Sequence, residues 1–161
     1  MIERSSAASL LPYDPVLDKV VLISQFRPGA IGSDSPWLIE ITAGIIDKNE
    51  TPEEAAIREA QEEAGCKVLD LYPIMNFFVS PGYSNEYIHV YCGRTDLSHI
   101  IHHHGLEEEN EDIYAFAVST TEAFELLHQG KIKTTPAIVA LQWLQLNHSF
   151  LRDLWLKTNG K

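Results

Sequence analysis

One short stretch of the chain places charged side chains at helical spacing. Arg58, Glu59, Glu62 and Glu63 follow one another within a segment that is otherwise rich in alanine. At about 100° per residue, all of the glutamates fall within roughly 140° of Arg58 around a helix axis. We therefore expect one side of a helix to carry a cluster of carboxylates beside a guanidinium.

Carboxylates on one arc repel one another, and a single arginine cannot neutralise all of them. A divalent cation would turn this repulsion into a set of oxygen ligands, and magnesium suits such a site because it shares its remaining positions with water and substrate phosphates. The alternative is a solvated helix face on which the charges pair with each other, which is common for Glu-rich helices. The spacing alone leaves both interpretations open.

The element that must hold these side chains has clear helix signals. Thr51 is a preferred N-cap, Pro52 suits the first helical position, Glu54 completes a capping box and Gly65 ends the helix. We expect three apolar residues to pack against the body of the protein: Ile57, Ala60 and Ala64.

Strand-like and helical segments are mixed without a strict alternation. Apolar runs bounded by turn-forming residues predict strands at 19–26, 37–42, 71–79, 86–93 and 113–118. Two further helices are predicted at 120–129 and 136–155. This mixture favours an α+β fold, or a layered α/β/α sandwich around a mixed sheet, in a single domain over residues 1–161.

The composition limits the class of protein. The chain has 161 residues, of which 45% are hydrophobic, and a formal net charge of −11. This charge argues against a protein that coats nucleic acid or an anionic membrane. Cys66 and Cys92 lie in apolar stretches, as expected of buried free thiols, and no run has the length of a signal peptide or a membrane span. We expect a cytoplasmic protein.

The carboxylate segment and the turn before it match a family pattern. They resemble the Nudix box, in which glycines, an Arg-Glu pair and a Glu-Glu pair stand at fixed spacing. Every position of that pattern is filled here: Gly44, Glu50, Arg58, Glu59, Ala60, Glu62, Glu63, Gly65 and Cys66. Such a match would arise by chance on the order of once in 10⁹ trials, so a coincidental solvated helix face does not account for it.

This resemblance implies the Nudix fold, an α/β/α sandwich, and hydrolysis of a nucleoside diphosphate linked to another group. Within the family the chain is similar to the bacterial ADP-ribose diphosphatases at 25–29, 36–40, 80–82, 104–106, 109–112 and 140–144. The implied reaction converts ADP-ribose to AMP and ribose 5-phosphate. The implied cofactor is Mg²⁺, with Mn²⁺ as a substitute.

Carried over by position, the resemblance gives individual residues a role. It makes Glu59, Glu63, the backbone carbonyl of Ala43 and Glu111 the metal ligands. Glu109 becomes the general base that acts on a metal-bound water.

The remaining implied roles concern positioning and substrate. Arg58 would orient the glutamates, and Glu62 would be a further ligand or a partner of the ligands. The residues implied to contact substrate are Arg27, Glu40, Ile45, Ser80, Pro81, Gly82 and Glu86.

Two features depart from the relatives. Thr42 stands where the family usually has proline, but the ligand that follows is a backbone carbonyl, so coordination need not change. The relatives also carry an N-terminal β segment that helps form a homodimer and supplies adenine contacts; here that segment is either absent or upstream of Met1. The resemblance thus implies a homodimer but leaves the adenine contacts open.

Other functions are compatible with parts of the same pattern. The substrate could be another nucleoside diphosphate sugar or a dinucleotide, because the box recognises the diphosphate and metal rather than the appended group. A sensor that binds ADP-ribose without cleaving it belongs to a different class, and the intact box carboxylates and lack of a basic DNA-binding module argue against it. The histidines at 102–104 could bind a transition metal, although such tracts are usually compositional.

Overall fold

A computed structural model describes residues 1–99 and 112–158 of the chain. The strands are β1 Ala7–Asp14, β2 Lys19–Phe26, β3 Trp37–Glu40, β4 Thr42–Ile45, β5 Asp70–Phe78, β6 Tyr87–Arg94 and β7 Ile113–Ser119. The helices are α1 Pro52–Ala64, α2 Thr120–His128 and α3 Thr135–Thr158. The predicted helices and most predicted strands are confirmed to within a few residues.

Strand β1 lies at the centre of a mixed sheet, although the sequence did not predict a strand there. It pairs in parallel with β6 along one edge, while its other edge pairs antiparallel with β4 and then with β2. Pro12 is disfavoured inside a central strand, which hides the element from a pattern search. In the structure Pro12 lies between the residues that pair with β4, which end at Leu10, and those that pair with β2, which begin at Tyr13.

The predicted strand at 37–42 is two strands rather than one. Strand β3 pairs with β2, and β4 pairs with β1, so the chain changes partners at Ile41. Strand β2 also pairs with β7, and β5 is joined to the rest of the sheet through β6. This change of partner brings the residues after Ile41 beside the start of β1.

Helix α1 begins and ends as its sequence predicts. The side chain of Thr51 accepts a hydrogen bond from the Glu54 amide at 3.1 Å, and the Glu54 carboxylate accepts one from the Thr51 amide at 2.9 Å. Gly65 adopts a φ of 63°, in the left-handed region that favours glycine at the end of a helix.

One expectation for α1 is wrong. Ala60 and Ala64 are fully buried, but Ile57 is 40% exposed. The buried arc of the helix is centred on Ala56, Ala60 and Glu63, and Ile57 lies at its margin. Consequently one member of the carboxylate cluster, Glu63, faces the sheet rather than solvent.

Helices cover both faces of the sheet. The alanines of α1 pack on Ala8, Leu10 and Val21, while α2 and α3 pack on the opposite face, where Trp155 and Leu141 are buried. The fold is therefore the predicted α/β/α sandwich with a mixed sheet.

Neither cysteine forms a disulfide. Cys66 and Cys92 are buried free thiols, as expected, and burial raises the pKa of Cys66 to about 12. Within the described residues, no helix combines the length and the apolar character that a membrane span requires.

Candidate active site

A cavity of about 600 Å³ opens where β4, α1, the start of β1 and the start of α3 meet. It collects much of the predicted site at one place. The predicted residues that line it are Arg27, Glu40, Ala43, Ile45, Arg58, Glu59 and Glu86.

Arg58 forms hydrogen bonds with three carboxylates at this cavity. Its Nε and Nη2 donate to the two carboxylate oxygens of Glu50 at 2.8 and 3.0 Å, and its Nη1 donates to Glu59 at 2.6 Å and to Glu62 at 3.2 Å. Nη2 also donates to the backbone carbonyl of Ile45 at 3.1 Å. Nε and Nη2 thus connect the helix to the strand and loop before it, while Nη1 pairs with two carboxylates of the helix itself.

These contacts keep both Glu50 and Arg58 charged. Hydrogen bonds from Arg58 and from the backbone of Asp47 lower the pKa of Glu50 to about 2. The hydrogen bonds to Glu50 and Glu59 raise the pKa of Arg58 well above its ordinary value, against an opposing effect of burial. The ion pair between Arg58 and Glu50 is therefore present at any pH near neutral.

Glu59 is held against the backbone of β4. A Cβ atom built on Gly44 would overlap the carboxylate and the adjoining carbon atoms of Glu59. Gly44 has no positive φ that would require glycine, so the residue is needed for space rather than for conformation.

Glu63 faces inward from the same helix. It is 4% exposed, and its carboxylate accepts a hydrogen bond from the Ala43 amide at 3.2 Å. A buried carboxylate next to another one is unfavourable unless a cation or hydrogen bonds balance the charge. Ala43 lies beside Gly44, so Glu59 and Glu63 both approach the same short stretch of β4.

The donors in this corner match the chemistry of a hard divalent cation. Glu59, Glu63 and the carbonyl of Ala43 offer oxygen atoms only, as Mg²⁺ and Mn²⁺ prefer. Across residues 1–99 and 112–158, no three Asp, Glu, His or Cys side chains are gathered as a complete metal site. Glu109 and Glu111, which the sequence assigns as base and ligand, and the histidines at 102–104 lie outside the described residues.

Arg27 and Glu40 also line the cavity and form an ion pair with each other. Nε and Nη2 of Arg27 donate to the two oxygens of Glu40 at 3.0 and 2.7 Å. Glu40 is 7% exposed, whereas the Arg27 side chain is 42% exposed. The buried carboxylate therefore sets the direction of an arginine that remains accessible from the cavity.

Of the predicted substrate contacts in the segment 80–86, only one lines the cavity. Glu86 lines it, but Ser80, Pro81 and Gly82 are not among its lining residues. They form a turn, in which the amides of Tyr83 and Ser84 donate to the carbonyl of Ser80.

Several residues near the site were missed by the sequence analysis. The N-terminal residues are tied to the turn that precedes Glu86: the Ile2 amide donates to the Tyr83 carbonyl at 2.6 Å, and the Arg4 amide donates to the Asn85 side chain at 2.7 Å. Ser9 and Thr134 also line the cavity. The only sequence signal for Ser9 is a polar residue within an otherwise apolar run.

Comparison with known proteins matches the chain to one protein family and to several of its members. A family model described as the NUDIX domain matches residues 3–148. The ADP-ribose pyrophosphatase of Escherichia coli (strain K12) is 44% identical over 156 residues, covering 96% of this chain and 75% of the relative. The ADP-ribose pyrophosphatase of Haemophilus influenzae is 39% identical over 162 residues, covering 98% of this chain and 75% of the relative.

More distant relatives share the fold. A GDP-mannose pyrophosphatase of Escherichia coli O1:K1 / APEC is 32% identical over 148 residues, covering 91% of this chain and 76% of the relative. A crystal structure of an ADP compounds hydrolase aligns with a TM-score of 0.68 at 24% identity, covering 96% of this chain and 74% of that one, and it supports the fold alone.

Proposed function

The chain belongs to the Nudix family, and we propose that it hydrolyses the diphosphate bond of ADP-ribose to AMP and ribose 5-phosphate. The observation that carries the proposal is the arrangement around Arg58, which holds Glu59 at the mouth of a cavity while Glu63 is buried behind it. The identities of 44% and 39% to ADP-ribose pyrophosphatases over nearly the whole chain favour ADP-ribose among the diphosphates.

The cofactor in this proposal is Mg²⁺, with Mn²⁺ as a substitute. Glu59, Glu63 and the carbonyl of Ala43 would hold the ion, and Glu111, which lies outside the described residues, would be a further ligand. When bound, the ion lowers the pKa of coordinated water and balances charge on the diphosphate. Gly44 leaves room for Glu59, and Arg58 keeps the Glu59 carboxylate from swinging away from Ala43.

Other protein groups would accept the proton of the attacking water and position the metal ligands. Glu109 would accept the proton of the attacking water, whose oxygen forms a new bond to one phosphorus as the bridging P–O bond breaks. The departing phosphate carries the electron pair of that bond. Arg58 and Glu62 would act as positioning residues, because they reach the reaction through Glu59 and Glu50 rather than through substrate.

Substrate contacts would come from other residues of the cavity and from the turn before Glu86. Arg27, directed by Glu40, would bind a phosphate, and Glu86 would accept hydrogen bonds from a ribose. Ile45 is 59% exposed at the cavity and would supply an apolar contact. Ser80 and Gly82 would contribute backbone amides near the same ribose, and Pro81, which has no N–H, would contribute an apolar contact.

We extend the proposal to a cytoplasmic homodimer. The buried free thiols of Cys66 and Cys92 are usual in the reducing cytoplasm. Among the described strands β5 is at one end of the sheet, and it exposes Met75 and Phe78. A second copy that covered this edge would protect both the apolar side chains and the unpaired backbone groups. Sedimentation equilibrium tests this part, since a monomer across micromolar concentrations would overturn it.

A substrate panel tests the activity. Purified protein with Mg²⁺ should release AMP from ADP-ribose with a kcat/KM at least tenfold above that for GDP-mannose and for dinucleotides. The 32% identity to a GDP-mannose pyrophosphatase makes GDP-mannose the appropriate competitor. Preferred cleavage of GDP-mannose would keep the reaction type and reject the substrate. Tight binding of ADP-ribose without release of AMP would instead favour a sensor.

A further inference from the structure

The described lining of the cavity carries no net positive charge for an anionic substrate. Its described lining includes two arginines, Arg27 and Arg58, but also four acidic residues: Glu40, Asp47, Glu59 and Glu86. Both arginines already form ion pairs within the protein. Phosphate oxygens that are not next to a cation therefore need neutral hydrogen-bond donors, which attract an anion without requiring a counter-charge.

One such donor is buried at the floor of the cavity. Ser9 lines the cavity yet has 0% exposure, and within the described residues its Oγ has no hydrogen-bond partner. It lies on β1 between Ala43 of β4 and Val90 of β6, so the strands on either side fix its position. Leaving a buried hydroxyl unpaired is unfavourable, and a hydrogen bond to a bound ligand would remove that penalty.

The amino end of α3 borders the same cavity. Thr134 and Pro136 line it, and the Ile138 amide donates to the Thr134 carbonyl at 3.0 Å, so the helical hydrogen bonds begin there. The amides of Thr135 and Ala137 belong to the first turn, for which no earlier helical carbonyl exists. With 24 residues, α3 also has the aligned peptide dipoles that favour an anion at this end.

We infer that Ser9 and the amino end of α3 form a phosphate subsite in the floor of the cavity. The Ser9 hydroxyl donates one hydrogen bond to a non-bridging oxygen of the substrate diphosphate, and the first turn of α3 stabilises the same charge. This inference rests on the proposed function and adds a binding residue to it. It also gives a reason for a hydroxyl at a buried position where an apolar side chain would pack without an unpaired polar group.

A matched pair of variants isolates the hydroxyl. Ser9→Thr and Ser9→Val have nearly the same shape, so any effect of added volume is common to both. We expect the KM of Ser9→Val for ADP-ribose to exceed that of Ser9→Thr by about five- to tenfold, with kcat values within about twofold, consistent with the loss of one hydrogen bond. Equal KM values for the pair would overturn the inference.

Ser9→Ala provides a second variant with an additional readout. Removing an unpaired buried hydroxyl should leave the melting temperature unchanged or higher while KM rises, which a purely structural serine would not produce. Thr95→Val is the control, because the Thr95 hydroxyl is buried but donates to the Lys67 carbonyl at 2.9 Å, outside the cavity lining. That control should lower the melting temperature without changing KM. A Ser9→Ala variant with lower stability and unaltered KM would contradict the subsite.

Inorganic phosphate separates this inference from the proposed function. Its dissociation constant can be measured by titration calorimetry without turnover. Weaker phosphate binding by Ser9→Val than by Ser9→Thr would support the subsite even if ADP-ribose were not hydrolysed. Equal phosphate binding would reject the subsite even if ADP-ribose were hydrolysed rapidly by the unaltered protein.

Discussion

The carboxylate of Glu59 lies against the backbone of Gly44, in the space that any side chain at position 44 would fill. Glu59 is on α1 and Gly44 is on β4, so the absence of one Cβ atom sets how closely the helix and the strand approach at the cavity. Nη1 of Arg58 donates a hydrogen bond to the same carboxylate at 2.6 Å.

Gly44→Ala should therefore displace Glu59. We expect kcat/KM for ADP-ribose to fall by about 100-fold, because metal ligands tolerate little displacement. Steady-state kinetics, together with the melting temperature, measure the effect. Gly29→Ala is the control, since no atom lies within 4 Å of a Cβ at Gly29. Equal activities for the two variants would show that the contact between Gly44 and Glu59 has no catalytic consequence.

Arg58→Lys keeps the positive charge but cannot reproduce the forked geometry. An ammonium cannot donate in parallel to both oxygens of Glu50 and still reach Glu59 and Ile45. We expect kcat to fall by about 10- to 100-fold with a much smaller change in KM, as for a positioning residue. Arg152→Lys, at a side chain that donates to the Pro15 carbonyl, should leave kcat unchanged. A rise in KM alone for Arg58→Lys would indicate direct substrate contact instead.

Local sequence signals predicted α1 and its carboxylates well. The Thr51 capping box and Gly65 act through backbone groups only a few residues away, so they can be recognised without knowledge of the fold. The helical spacing also predicted that the charged residues lie on one side of the helix. It could not show that Glu63 is buried while Ile57 is 40% exposed, because that depends on how the helix rolls against β1 and β4.

Features that depend on distant partners were not predictable in this way. Strand β1 contains Pro12 and is made a strand by three neighbours, two of which share one of its edges. The pairing of Arg27 with Glu40 likewise joins two different strands, and the cavity is lined both by Ser9 of β1 and by Thr134. Their residues have no local pattern in common, so only the assembled sheet brings them together.

Glu40→Gln tests the pairing with Arg27. The amide retains the shape and one acceptor oxygen but loses the charge and one of the two hydrogen bonds to Arg27. We expect KM for ADP-ribose to rise by about tenfold with kcat little changed, because the direction of the phosphate-binding arginine is relaxed. Glu125→Gln, an α2 residue outside the cavity lining, is the matched control. A lower KM for Glu40→Gln would mean that Glu40 competes with phosphate rather than orienting Arg27.

A polar network at the opposite end of β1 predicts a pH dependence of stability. Asp18 accepts a hydrogen bond from the Tyr13 hydroxyl at 2.8 Å and lies 2.6 Å from Nε2 of His148. Burial opposes ionisation, but the hydrogen bonds of His148, Tyr13 and Thr120 outweigh it and hold the pKa of Asp18 below its ordinary value. Ionised Asp18 therefore stabilises the folded state at pH values above its unfolded pKa of about 3.9. This contribution is lost as the pH falls through the lower pKa that Asp18 has in the folded state.

Asp18→Asn should lower the free energy of unfolding by about 1–2 kcal/mol at pH 7, and the difference from the unaltered protein should shrink below about pH 4. Asparagine tolerates the φ of 55° at this position, so the backbone is not a second cause. Urea denaturation at several pH values measures this difference in the free energy of unfolding. Asp34→Asn, at an exposed side chain, should have no effect. A difference that stays constant down to pH 3 would exclude the charge of Asp18 as the source.

The most direct measurement compares the unaltered protein with Glu63→Gln in ADP-ribose and Mg²⁺, following AMP release with and without EDTA. The amide fits the buried position and can still accept from the Ala43 amide, but it is a much poorer metal ligand. We expect release of AMP that EDTA abolishes and Mg²⁺ or Mn²⁺ restores, and a loss of at least about 100-fold in Glu63→Gln with the fold retained. AMP release that persists in EDTA, or in Glu63→Gln at the unaltered rate, would contradict a metal-dependent hydrolase centred on α1.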